Sequence, residues 1–109
     1  MSFTVAIKQT AHDDIQRNTV WWAEHHSLDQ AILWKDAIYE QIEALSEMPL
    51  RHALAPENDQ FSYEIREKPI GLGNRPSYRA IFTIVENEVH VLSVRRVSQD
   101  EIRPSDFPT

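Results

Sequence analysis

Near residue 60 the apolar spacing changes from steps of three and four to steps of two, and this change restricts the fold more than any other feature. Before it, Ala31, Trp34, Ile38, Ile42 and Leu45 mark one face of a helix, with Asp36, Glu40, Glu43 and Glu47 on the opposite face. Ser27 is placed to cap that helix, Gln30 follows three residues later, and Pro49 stops the helix just after Met48. An earlier helix is expected over about residues 11–25, with Thr10 and Asp13 as a capping-box variant and Ala11, Ile15, Trp21 and Trp22 as an imperfect stripe. About two residues separate the helices, so they should form an antiparallel hairpin.

Alternation marks the strands. Phe3, Val5 and Ile7 give a short one at the start. After the loop-like stretch 50–60, Phe61, Tyr63 and Ile65 alternate with Ser62, Glu64 and Arg66, which predicts a second strand. A turn-rich connection, Pro69 to Pro76, leads to a third over Tyr78–Val85, and Glu86-Asn87-Glu88 leads tightly to a fourth over Val89–Arg96. The order is β-α-α-β-β-β, an α+β fold in one domain over residues 1–109. The last three strands should form an antiparallel meander, because their loops are too short for crossovers. The helical hairpin then covers one sheet face. The other is expected to be open, presenting Arg79, Ile81, Thr83 and Val85 to a partner.

Composition narrows the chemistry. With 11 basic and 17 acidic residues the net charge is −6, which disfavours generic polyanion binding. Residues 1–60 hold four bases against ten acids, whereas 61–109 hold seven of each, including Arg66, Lys68, Arg79, Arg95 and Arg96. The acidity thus belongs to the helical half. Cysteine is absent, which excludes disulfides, thiolate metal sites and a cysteine nucleophile. Both glycines lie in one loop (Gly71, Gly73), so a phosphate-cradling glycine loop is not expected. The longest apolar run, Ala80–Val85, falls far short of the roughly 20 residues of a membrane span. The opening MSFTVAIKQT lacks a basic region followed by an apolar one, so a cytoplasmic, membrane-free protein is expected.

The pieces, taken in order, resemble the RelE/ParE superfamily of bacterial toxins, which includes plasmid-stabilisation proteins. Ala11-x-x-Asp14-Ile15 resembles its first helix, and Ala31-x-x-Trp34 through Leu45 and Pro49 its second. Leu54-Ala55-Pro56-Glu57 is similar to a loop of one branch. Glu64-Ile65-Arg66, then Tyr78-Arg79-Ala80-Ile81-Phe82, resemble two strands, Val89-x-Val91-Leu92-x-Val94-Arg95 the closing strand, and Gln99-Asp100 a common ending. The resemblance spans about residues 3–100. It implies no cofactor, a cognate antitoxin lying over the toxin in a hetero-oligomer, and one of two activities. The ParE branch poisons DNA gyrase without intrinsic catalysis, whereas the RelE branch cleaves mRNA on the ribosome. Family ribonucleases tend to carry a lysine-rich second strand and a basic tail ending in tyrosine or histidine. This chain has acids interleaved in Tyr63–Lys68 and no tyrosine after Arg96, so it is closer to the ParE branch. A non-toxic binding module of the same fold is a third reading.

RNA cleavage through a 2′-hydroxyl needs a base, an acid and cations on the phosphate. The candidates are Arg79, which matches a family arginine, with Arg66, Arg95, Arg96 and His90. For a target or antitoxin surface they are Arg79, Ile81, Thr83, Val85, Arg66 and Arg95. Adjacent Arg95 and Arg96 face opposite sides, so only one shares a face with Arg79. Arg79 could equally pair with a carboxylate such as Glu64. The histidines, His12, His25, His26, His52 and His90, include no His-x-x-x-His pair, so no metal site is expected. Trp34 reads as core, and one of Trp21 and Trp22 should be exposed.

Overall fold

A computed structural model describes residues 2–74, 76–98 and 101–107. Its order is β1 (Thr4–Ile7), α1 (Gln9–His25), α2 (Leu28–Glu43), β2 (Arg66–Ile70), β3 (Tyr78–Val85) and β4 (Glu88–Arg96). Short 3-10 turns occupy Ala44–Ser46, Pro49–Arg51, Pro56–Gln60 and Pro104–Asp106. The sheet runs β1-β4-β3-β2, with β1 parallel to β4 and the other pairs antiparallel. The β-α-α-β-β-β fold is therefore the observed one. Arg75 and the Gln99-Asp100 ending lie outside the described residues.

α2 forms as its pattern dictates. The Ser27 hydroxyl accepts from the Gln30 amide at 3.1 Å, satisfying one of the free N–H groups of the first turn. Ala31, Trp34, Ile38, Ile42 and Leu45 are all fully buried. The main core lies between this stripe, Ile15 of α1, and Tyr78, Ala80, Phe82, Val89, Val91 and Val94 of the sheet. The acids on the opposite face are exposed.

α1 departs from expectation at its start. It begins at Gln9, its N-cap is Lys8, and no side chain caps it. The Thr10 hydroxyl instead donates to the Leu92 carbonyl at 2.5 Å. β1 ends at Ile7, so β4 loses its parallel neighbour just where Leu92 begins. Side chains of α1 take over the ladder. Thr10 satisfies the Leu92 carbonyl, and Asp14 accepts from the Val94 amide at 3.0 Å and the Ser93 hydroxyl at 2.6 Å. The register between β3 and β4 shifts by one residue here, leaving Leu92 bulged between Phe82↔Val91 and Ile81↔Ser93.

The second strand also differs from the sequence reading. Residues 61–65 are irregular, and β2 is Arg66–Ile70. Phe61 and Ile65 are buried not by strand pleating but by tucking beneath the sheet, where the Ile65 amide donates to Asn58 Oδ1 at 2.9 Å. Pro69 sits within β2, which is tolerated because β2 is an edge strand. Beyond β2, Gly71 adopts φ 149°, and an added Cβ would lie 3.2 Å from the Ser77 amide nitrogen. The Gln41 side chain clamps this turn, donating to the Gly71 carbonyl at 2.8 Å and accepting from its amide at 3.0 Å.

The face expected to be open is mostly covered. Ala55, Phe61 and Ile65, with Ile102 and Phe107 from the end of the chain, pack over Ile81 and Leu92 as a second small core. Ile81 is fully buried, Arg79 and Thr83 nearly so, and of the expected partner residues on β3 only Val85 is substantially exposed, at 47%.

Candidate functional site

Among the described residues, concavities lie on the outer face at both ends of β3. Alternation along β3 aims Arg79 outward, and the pairing of Arg79 with Arg95 puts both on that face. They line an open cavity of about 860 Å³ together with Glu57, Glu67, Glu101, Arg103 and Asp106.

Arg79 is held by two carboxylates. Its Nη1 lies 2.8 Å from Glu57 Oε1 and 3.0 Å from Glu67 Oε1, and its Nη2 donates to Glu57 Oε2. The Ile102 amide donates to the same Glu57 oxygen at 3.0 Å. Glu57 is only 3% exposed. Burial pushes its carboxyl up, but hydrogen bonds from Arg79 and the Ile102 amide outweigh that and hold it below the usual carboxylate range. The bond to Glu57 in turn raises the guanidinium's affinity for its proton, against burial and with help from Glu67. The partner of Arg79 is therefore not Glu64, which pairs with Arg66 at 2.8 Å. Glu57 was no sequence candidate. Its signal in the sequence is indirect: an arginine two residues from a strand-core isoleucine shares that residue's face, and a buried cation needs a carboxylate.

Arg95 is the arginine that shares Arg79's face. Its Nε donates to Ser93 Oγ at 2.8 Å, with Asp14 Oδ2 3.8 Å and Asp106 Oδ2 3.7 Å away. Arg96 turns to the helical side, its guanidinium 4.1 Å from the centre of the Trp21 ring. His25 stacks on Trp21 at 4.4 Å and His26 on Trp22 at 4.5 Å. Trp22 donates to the Tyr78 hydroxyl at 3.2 Å, and both tryptophans are part-buried.

The remaining candidates lie elsewhere. Arg66 is opposite Phe82, and its guanidinium donates to the His52 carbonyl at 2.6 Å and bonds Glu64. His90 is opposite Thr83 and contacts Glu88 at 3.3 Å. With Tyr63, Thr83, Val85 and Leu92, these two line a second, largely apolar cavity of about 320 Å³. Thr83 lies four positions along the strand from Arg79, roughly 13 Å at about 3.3 Å per residue. The set Arg79, Arg66, Arg95, Arg96 and His90 is therefore dispersed over two cavities and both faces. Among the described residues no group of three His, Asp or Glu side chains is placed to hold a metal ion, and no helix is long and apolar enough to cross a membrane.

A strand, a helical hairpin and a three-stranded meander, with an arginine pair on the face away from the helices, make a small α+β domain. The profile of the ParE toxin of type II toxin–antitoxin systems (parDE) matches residues 5–101, and the chain belongs to that family, within the RelE/ParE superfamily. Among solved structures it is similar to a chain of the chromosomal ParDE system from P. aeruginosa, with TM-score 0.73 and 18% identity over 89% of this chain and 98% of that one. It is also similar to a chain of the toxin–antitoxin complex RelBE2 from Mycobacterium tuberculosis, with TM-score 0.55 and 19% identity over 88% of this chain and 99% of that one. No curated protein sequence matches significantly.

Proposed function

We propose that this type II toxin arrests growth in the cytoplasm by binding a protein target, DNA gyrase by family analogy, without catalysis of its own, and that a cognate antitoxin neutralises it. The observation that carries this reading is the double carboxylate hold on Arg79. A phosphate-binding arginine must offer donors to its substrate, and here Glu57 and Glu67 compete for them. His90, the candidate base, lines the other cavity. The antitoxin is expected to seat an apolar side chain beside Val85 in the smaller cavity, in the helix-in-groove manner.

The test is purified toxin incubated with gyrase and supercoiled plasmid, run in parallel with a translation reaction probed for mRNA ends. Trapped cleaved DNA with intact transcripts supports the proposal. Cut transcripts would assign the chain to the ribonuclease branch, where Arg79 and Arg95 would hold phosphate. Unimpaired growth on expression without the antitoxin would make it a non-toxic binding module.

A further inference from the structure

A basic patch borders the smaller cavity, where the segment after α2 meets the β2 edge and Arg66 is common to both. The Leu50 and His52 carbonyls accept from the Arg66 guanidinium at 3.4 and 2.6 Å, and Leu54 forms an antiparallel bridge with Arg66. Segment 48–54 is thereby fixed beside β2. Arg51 is exposed on it, and Lys68 lies part-buried on β2, its Nζ donating to the Gln41 carbonyl at 2.6 Å. Glu64 offsets Arg66, but among the described residues no carboxylate pairs with Arg51 or Lys68. The surrounding field agrees. Burial and then the nearby cations Lys68, Arg51 and Arg66 lower the affinity of His52 for a proton, and burial and Arg51 do the same at Lys68.

Cations brought together with no counter-charge repel one another, and a part-buried lysine has also lost hydration. An anionic partner would relieve both. The patch is also apolar: Met48 is 64% exposed, Leu50 60% and Leu54 45%. Large aliphatic side chains interleaved with unpaired cations match a peptide carrying both acids and apolar residues. A nucleic-acid backbone would use the cations alone and leave the aliphatic side chains uncovered.

We propose that Arg51 and Lys68, with Met48, Leu50 and Leu54, form a docking surface for an acidic, apolar-bearing protein segment, distinct from the two outer-face cavities. It stands whether or not the target is gyrase.

The probe is a fluorescein-labelled 16-residue peptide with leucine at helical spacing and glutamate elsewhere, titrated with full-length protein by fluorescence anisotropy. The proposal expects saturable binding that weakens with salt and falls about tenfold in Arg51→Glu and in Leu50→Ser, the effect of losing roughly 1.4 kcal/mol. Lys35→Glu, on the acidic face of α2, reverses the same charge and should leave binding intact. Thermal unfolding of each variant checks that it is folded, and Arg51→Ala replaces Arg51→Glu if the latter is not. The proposal is overturned by absent binding, by equal binding of a leucine–lysine peptide, by unchanged affinity in the Arg51 and Leu50 variants, or by an equal loss in Lys35→Glu. A 16-nucleotide RNA binding more tightly than the acidic peptide would also overturn it and assign the patch to nucleic acid.

Discussion

Glu57 holds the outer cavity together. It is buried, accepts from Arg79 through both oxygens, and anchors the returning chain through the Ile102 amide. Glu57→Ala removes the bidentate partner of a buried guanidinium and leaves Glu67 among those that still hold it, so the fold should lose about 1.5–3 kcal/mol in urea unfolding. Adding Arg79→Met should recover part of that loss, because the under-compensated buried cation is removed too. The acid limb of stability follows from the same pair. A carboxyl with a lowered folded pKa contributes fully above the ordinary carboxylate range and loses that contribution as pH falls through its folded value. Glu57→Gln should therefore flatten the acid side of the unfolding-midpoint profile. His52 acts in a higher window. Its folded pKa is also lowered, so the unfolded chain binds the proton first and stability falls as pH drops below the ordinary imidazole value. His52→Gln should remove that slope.

At the scale of elements, legibility followed the locality of the cause. α2 was readable because its cap, stripe and stop lie within its own sequence. Ser27→Ala should cost about 0.5–2 kcal/mol, and Ile38→Ala about 2–5 kcal/mol, both measured by thermal unfolding with circular dichroism. The start of α1 is not legible locally, because Thr10, a plausible local cap, is used by a strand 82 residues away. The position of β2 is not legible either, because Arg66–Ile70 is a short, polar, proline-bearing edge with no apolar alternation of its own. The alternation at Phe61, Tyr63 and Ile65 was real but reflects burial under the sheet rather than pairing in it. The β3–β4 turn offers a further check. Glu86 holds φ 57° at the first of two turn residues, where glycine is favoured, so Glu86→Gly should raise stability by up to about 1 kcal/mol.

For the whole molecule, the arginines could be counted in the sequence, but their grouping could not. Strand alternation correctly put Arg95 or Arg96 with Arg79, yet which one depends on the bulge at Leu92. That the outer face is closed depends on Phe61, Ile65 and Ile102 arriving from segments whose pattern does not announce a destination. The charge of −6 likewise describes no single surface. Exposed acids line α2, carboxylates and guanidinium groups alternate around the larger cavity, and uncompensated cations gather at the β2 edge.

Asp14 joins regions that are otherwise separate. It grows from α1, completes the ladder of β4 at Val94, and lies within 3.8 Å of the Arg95 guanidinium in the outer cavity. One carboxylate therefore tethers the helical layer, the sheet margin and the cavity wall. The Val94 amide becomes a reporter of that tether. Its hydrogen exchange should be slow in the wild type and accelerate in Asp14→Asn more than that of Val89, which β1 flanks directly. A ligand that draws Arg95 away from Ser93 would then be felt at the opposite layer through a strain line only three side chains long.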